Sequence, residues 1–332
     1  MTKYTVIELL KELSNGNTEQ AKIYAKEQLA LYMDTVIEKE TYIEAYNNSE
    51  KKKILIDAHV DQIGLIVTHI EDNGLLKFAS VGGVDPAILP ASEVFVYGNE
   101  KISGVITSIP PHLSKNDKKK VKKIEDLYID CGFSNKDEAL TKVNLGDIIT
   151  FSSDFKMLNE NIALGKSFDD RSGIVAILYA LDKLKNAKKC KNLVIILSDL
   201  EEIGEIGAKI AAKNADADIA IAVDVSFAKS TDEPKEKCGK LGKGPMLGIS
   251  PTLNKNITKC IINAARKNNI PHQLEVMASL TSTNADQYSG IGIPSATVSI
   301  PLRYMHSPCE MLNVNDVINT GELLADYIMY NF

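Results

Sequence analysis

The chain has no tryptophan, and aromatic residues make up only 6% of its 332 residues. Its five cysteines, Cys131, Cys190, Cys238, Cys260 and Cys309, lie far apart and form no CxxC pair. That argues against a disulfide framework and a thiolate zinc site, and it fits a reducing, cytoplasmic setting. No apolar run approaches the ~18–20 residues needed to cross a bilayer, so no membrane partner is expected. A basic excess is missing too. The 38 lysines and arginines face 44 acids, for a net charge of −6, which gives nucleic acid no global field to follow. The one basic run, residues 115–123, is flanked by acids and reads as a solvated loop. The first residues lack an apolar segment followed by a small-residue cleavage site and read as an amphipathic helix, not a signal peptide. Histidine is scarce as well: His59, His69, His112, His272 and His306 are the whole supply of imidazole.

Apolar residues at 44% and charged residues at 25% are ordinary for folded domains, and the length suggests about two of them. Helical periodicity marks residues 6–13 and 19–38, and residues 53–58 read as a short buried strand. Between residues 63 and 154 come short alternating runs at 64–69, 75–79, 93–97, 102–106, 127–130 and 147–151. Gly82-Gly83, Pro86, Pro90, Gly98-Asn99 and Pro110-Pro111 punctuate them, as in a small barrel or sandwich. From about residue 161 helices (170–185, 206–214, 254–268, 314–330) alternate with strands (193–198, 219–223, 273–277, 295–300). The expected fold is α/β: a mixed sheet with helices on both faces, interrupted by an inserted all-β barrel. The strand at 54–58 resembles the later ones, so the α/β domain is expected to comprise residues 1–62 and 161–332, and the insertion residues 63–160.

Four apolar runs end in residues that suit divalent metals. Residues 54–58 lead into His59 and Asp61, residues 193–200 into Glu201-Glu202, residues 219–223 into Asp224, and residues 296–300 towards His306. In open α/β sheets the ligand crevice lies beyond the carboxyl ends of the strands. Asp169-Asp170-Arg171 enters a helix, where one aspartate suits the cap and the other is left over. Imidazole mixed with carboxylate points to zinc-like ions rather than to hard magnesium or calcium sites. Two histidines and three carboxylates suffice for two metals if one carboxylate bridges. Adjacent Glu201 and Glu202 point in opposite directions in an extended segment, so one can be a ligand and the other a general base. Asp61, two residues after His59, can accept the other ring N–H of that histidine.

These motifs resemble the M42 metallopeptidases, the tetrahedral-type aminopeptidases. The matching segments are Ala58-His59-Val60-Asp61, Phe168-Asp169-Asp170-Arg171, Glu201-Glu202-Ile203-Gly204 and Val223-Asp224-Val225. Arg303-Tyr304-Met305-His306-Ser307-Pro308 with Glu310 completes the set, and Pro110-Pro111-His112-Leu113 looks like a segment of the inserted domain. The resemblance implies that His59, Asp169 and Asp224 hold one metal and that Asp169, Glu202 and His306 hold the other, with Asp169 as the bridge. It implies Glu201 as general base and acid and Asp61 as the residue orienting His59. It also implies a zinc-exopeptidase-like catalytic domain, a barrel serving oligomerisation or substrate access, and a dodecameric shell built from dimers. Two positions depart from the pattern. Gln62 stands where a glutamate is common, and Thr281-Ser282-Thr283-Asn284-Ala285 replaces a Gly-Gly-Thr-Asp-Ala segment.

The expected activity is that of a di-metal aminopeptidase removing N-terminal residues from short peptides, with zinc, cobalt or manganese as the ion. Three rivals use the same residues differently. A deacylase of N-acyl compounds needs the same activated water. A catalytically impaired, peptide-binding shell protein is motivated by the altered 281–286 segment. A glycosidase would need carboxyls about 5–9.5 Å apart across a sugar, which adjacent glutamates pointing apart do not offer.

Overall fold

The computed structural model describes residues 1–47, 53–109, 112, 121–187, 192–231 and 234–331. Residues 115–120 of the basic run, together with Pro110, Pro111 and Leu113, lie outside them. The chain opens with α1 (Lys3–Ser14), α2 (Thr18–Leu29), β1 (Thr35–Glu38), β2 (Tyr42–Tyr46) and β3 (Ile54–His59). Next come β4 (Gly64–Ile70), β5 (Leu76–Val81), β6 (Glu93–Tyr97), β7 (Lys101–Ile106), β8 (Ile129–Asp130), α3 (Lys136–Leu140) and β9 (Ile148–Phe151). They are followed by β10 (Lys156–Met157), β11 (Ile162–Gly165), α4 (Phe168–Asn186), β12 (Leu193–Ser198), α5 (Ile206–Asn214) and β13 (Ile219–Phe227). The last elements are β14 (Met246–Ile249), α6 (Lys255–Lys267), β15 (Gln273–Val276), α7 (Ala285–Gly290), β16 (Ser295–Arg303), β17 (Glu310–Asn313) and α8 (Val314–Asn331). No described helix is long and apolar enough to cross a membrane.

Two compact units divide the chain. One holds residues 1–62, 155–305 and 310–332; the other holds residues 63–154 and 306–309. The first is built on an 11-stranded mixed sheet in the order β1-β2-β12-β3-β13-β16-β17-β11-β10, with β14 joined to β16 and β15 to β14. Its centre, β12-β3-β13-β16, is parallel, with Ser198 opposite His59 and Asp224 opposite Ser299. Strands buried on both faces read as unbroken apolar runs, which is why these four are legible in sequence. Alternation along β3 shows the two faces. Ile54, Ile56 and Ala58 join the large core formed with α1, α4 and α8, whereas Leu55 packs with Ala208, Ala211 and Ala212 of α5 and Tyr288 of α7. The period of two then places Asp57 and His59 on the α5–α7 face.

The second unit contains a closed antiparallel barrel, β4-β5-β8-β7-β6-β9. Leu65, Val67, Leu76, Val94, Val96, Ile106, Ile129 and Ile149 fill it. The insertion ends earlier than expected. Residues 155–160 belong with the sheet unit, because Lys156 and Met157 pair with Leu164 and Ala163 of β11 and the Phe155 ring packs edge-on against Phe168 at 6.2 Å. The helix expected over 19–38 also ends early. A capping box of Asn17 and Gln20 starts α2, which stops at Leu29. The Asp34 amide is then captured by the Asn47 side chain at 2.6 Å. β-Branched Thr35, Val36 and Ile37 become the edge strand β1, where such side chains fit the pleated surface.

Candidate metal centre

His59 closes β3 on the face that carries Leu55 and Asp57, and it is 1% exposed. Its Nε2 lies 3.0 Å from Asp169 Oδ1 and 3.9 Å from Glu201 Oε2. Asp169 stands where the chain enters α4. Ser167 just before it is left-handed (φ 58°), and Asp169 and Asp170 keep non-helical backbone angles across a cis peptide. The two aspartates divide the work. Asp170 Oδ1 accepts the Gly173 N–H at 3.1 Å and caps the helix, while Asp169 turns its carboxylate to His59. A Cβ on Gly173 would lie 2.5 Å from the Asp170 oxygens, so this cap requires glycine. Arg171, 1% exposed, donates to the Val60 and Leu13 carbonyls and so ties the turn to α1 and to the segment after β3.

Glu201 and Glu202 follow β12 in a turn that Asp61 holds. The Asp61 carboxylate accepts the Glu201 N–H and the Glu202 N–H, each at 3.2 Å. Asp61 Oδ1 is also 3.3 Å from His59 Nδ1, within ion-pair range but too poorly aligned for a hydrogen bond. The expected role of Asp61, orienting His59, is therefore the weaker of its two contacts. Its clamp on the glutamate pair is the role that spacing alone missed. Glu310 is a second such residue. Its Oε2 accepts the Phe168 N–H at 2.6 Å and the Asp169 N–H at 3.3 Å.

Among the described residues, ligand atoms of His59, Asp169 and Glu202 lie within 4.8 Å of one another. This group draws one member from each expected ligand set around the shared Asp169. Asp224, 6% exposed, projects from β13 and interacts electrostatically with His59, Glu201 and Asp169. His306 belongs to the barrel unit. There its Nδ1 sits 3.2 Å from the Gly83 carbonyl, and a Cβ on Gly83 would lie 2.7 Å from that nitrogen. A carbonyl partner requires Nδ1 to carry the proton, which puts the lone pair of the neutral ring on Nε2.

The altered 281–286 segment is anchored below His59. Asn284 Nδ2 donates to Ser198 Oγ at 2.7 Å, Ser198 donates to Asp57 Oδ1 at 2.9 Å, and Tyr288 donates to Asp57 Oδ2 at 2.7 Å. Gln62 uses the amide that distinguishes it from glutamate. Its Oε1 accepts from Lys166 and Ser167, and its Nε2 donates to the Gly16 carbonyl.

Burial and crowding govern the charges. Burial pushes Glu201 up to about 7, with Asp169 and Asp61 adding to the rise and His59 opposing it. Burial also raises Asp224 and Asp170 well above the ordinary range, and repulsion among the acids reinforces it. Burial alone would lower His59, but Asp169 and Asp61 hold it well above its ordinary value. Such a nest of carboxylates is best relieved by a cation. One imidazole and several carboxylate oxygens within a few ångströms form the donor set that a zinc-like ion takes at about 2.0–2.2 Å.

The sequence model of the M42 glutamyl aminopeptidase family matches residues 41–323. The chain belongs to the M42 family. A lysyl aminopeptidase of Pyrococcus furiosus is 34% identical over 84% of this chain and 82% of its own length. An aminopeptidase from Desulfurococcus kamchatkensis superposes with a TM-score of 0.91 at 30% identity, covering 98% of this chain and 95% of its own. The TET1 peptidase of Pyrococcus horikoshii, described as assembling into a tetrahedron or a large octahedral shell, gives 0.87 at 29% identity over 97% and 98%. As an M42 member the protein is a peptidase, and its chemistry is that of an aminopeptidase.

A pH effect follows from these charges in the metal-free protein. A carboxyl whose folded value is raised stabilises the fold fully below its unfolded value and loses that contribution as pH rises through the folded one. For Glu201, moving from 4.5 to about 7, this amounts to about 3 kcal/mol. Asp170, Asp224 and His59, all raised, act in the same direction. The thermal midpoint of chelator-treated protein is expected to fall between pH 4.5 and 7, and saturating zinc to abolish that fall. A midpoint rising over the same window would contradict this electrostatic account.

Proposed function

We propose that the protein is a di-metal aminopeptidase acting on short peptides with a free N-terminus, with Glu201 as general base and then general acid. The observation that carries this reading is the convergence of His59, Asp169 and Glu202, with the Glu201 carboxylate 3.9 Å from His59. One divalent ion would be held by His59, Asp169 and Asp224, and the other by Asp169, Glu202 and His306. Zinc suits these donors, as do cobalt and manganese. When bound, the ions supply Lewis acidity towards the scissile carbonyl and its attacking water. Glu201 takes the proton of that water as oxygen bonds to the carbonyl carbon. It returns the proton to the leaving nitrogen as the C–N bond breaks. Burial and the neighbouring acids raise Glu201 in the metal-free protein, and bound cations would lower it from there towards the ionised form that a base requires. Asp61 fixes the turn that carries Glu201 and Glu202, and Glu310 fixes the Asp169 backbone.

The inserted barrel is assigned to oligomerisation or substrate access. Likeness to the TET1 peptidase supports a homo-oligomeric shell, and the cysteine pattern supports a cytoplasmic setting. A panel of aminoacyl anilides, N-acyl amino acids and a glucan, tested with zinc, cobalt and manganese, examines the reading. Turnover of the aminoacyl anilides is expected. Turnover of N-acyl compounds alone would replace it with a deacylase.

A further inference from the structure

Edge strand β15 pairs with β14, and side chains on and just beyond it reach the site face of β13. Ala222, Asp224 and Ser226 are alternate residues of β13 and share one face, about 7 Å apart at each step. Met277, just beyond β15, packs on the small cluster of Ala222, Leu253 and Ala285. Two residues earlier, Glu275 Oε1 accepts the Ser226 hydroxyl at 2.5 Å. Met277 and Glu275 therefore engage the two β13 positions that flank Asp224, and the inner edge of β15 forms a wall beside that carboxylate.

Glu275 differs from its neighbours on this wall. Gln273 is fully engaged, accepting the Lys240 N–H and donating to the Lys240 and Gly244 carbonyls. Glu275 is half-buried, and Ser226 is its one hydrogen-bond partner among the described residues, with no ion pair. Burial raises its carboxyl above the ordinary value and the serine contact only partly offsets that. A carboxylate partly withdrawn from water beside a peptide-cleaving centre, and lacking a cation of its own among the described residues, is matched by a cation brought by the substrate. The first residue of a peptide carries an α-ammonium group, and lysine or arginine adds a second positive group.

We propose that Glu275 binds a cationic nitrogen of the substrate's first residue. The proposal rests on the aminopeptidase reading above. The α-ammonium group and a basic side chain share this chemistry, and the experiment separates them. Zinc-loaded wild type, Glu275→Gln and Glu275→Asp are assayed on leucyl, lysyl and arginyl anilides. Calorimetry measures the binding of leucinamide, lysinamide and their Nα-acetyl forms.

Loss of one charge-assisted hydrogen bond raises KM about ten- to a hundredfold in Glu275→Gln, with kcat within about twofold. Glu275→Asp recovers part of the loss. An equal rise on all three anilides identifies the α-ammonium as the ligand, and Nα-acetylation then weakens wild-type binding but not that of Glu275→Gln. A rise confined to lysyl and arginyl substrates identifies the side chain. Unchanged KM on every substrate, or a fall in kcat alone, overturns the proposal. If wild type cleaves none of the anilides, the aminopeptidase reading itself fails. If wild type cleaves them and Glu275→Gln matches it, only the role of Glu275 is lost.

Discussion

Glu201→Gln is expected to lower kcat by about 10²- to 10⁴-fold, the range for removal of a positioned general base. The amide keeps the shape of the side chain but cannot accept the proton of the attacking water. Glu201 is not among the proposed ligands, so metal content should equal that of wild type. KM should change little, because the lost interaction arises in the transition state. The Glu202 amide clamp on Asp61 remains, and Glu201 contributes only its backbone N–H to that clamp. The thermal midpoint of the metal-loaded variant should therefore stay close to wild type. Steady-state kinetics on an aminoacyl anilide, with metal analysis of the same sample, gives the answer. Wild-type turnover with full occupancy would remove Glu201 from the mechanism.

Asp169→Asn should have an effect of the same order by another route. The amide can still hydrogen-bond His59 Nε2, now 3.0 Å from Asp169 Oδ1, but the charge proposed to bridge the ions is gone. In the proposed centre both ion positions would depend on that carboxylate, so both are expected to weaken together and activity to fall with them. Stability should show the same loss. A ligand at about 1,000 times its Kd stabilises the native state by about 4 kcal/mol, and the variant should forgo most of that zinc-induced gain. Without metal the difference should be small. Asp169 pushes up Glu201 and Asp224 but also holds His59 in its charged form, and these opposing effects should leave the metal-free variant close to metal-free wild type in stability at pH 7. Thermal melts with and without zinc measure both effects. An undiminished zinc-induced shift would show that Asp169 does not bridge.

The parallel centre of the sheet was readable because strands buried on both faces leave apolar runs, and polar residues at their ends stand out. That logic singled out His59, Glu201, Glu202 and Asp224 as candidates. It could not say which of Asp169 and Asp170 caps α4, because either suits a helix N-terminus. The Asp170–Gly173 contact decides this, and the glycine three residues on was the available signal. Periodicity failed at residues 30–38, where a turn and then an edge strand at 35–38 replace the expected helix, and the β-branched run of that strand was the competing cue. The short strands β2, β14 and β17 carried no pattern long enough to register. The clamps of Asp61 and Glu310 join side chains to distant backbone amides, and such pairings have no sequence signature. The same holds for Glu275, whose partner Ser226 is 49 residues away and is met only through the fold.

One quantity bears most directly on the paired-cation centre: the metal-to-protein ratio after saturation with zinc and removal of excess by gel filtration. Elemental analysis should find two ions per chain, dropping sharply in Asp169→Asn. A ratio near zero for zinc, cobalt and manganese alike, or one that Asp169→Asn leaves unchanged, would contradict the account.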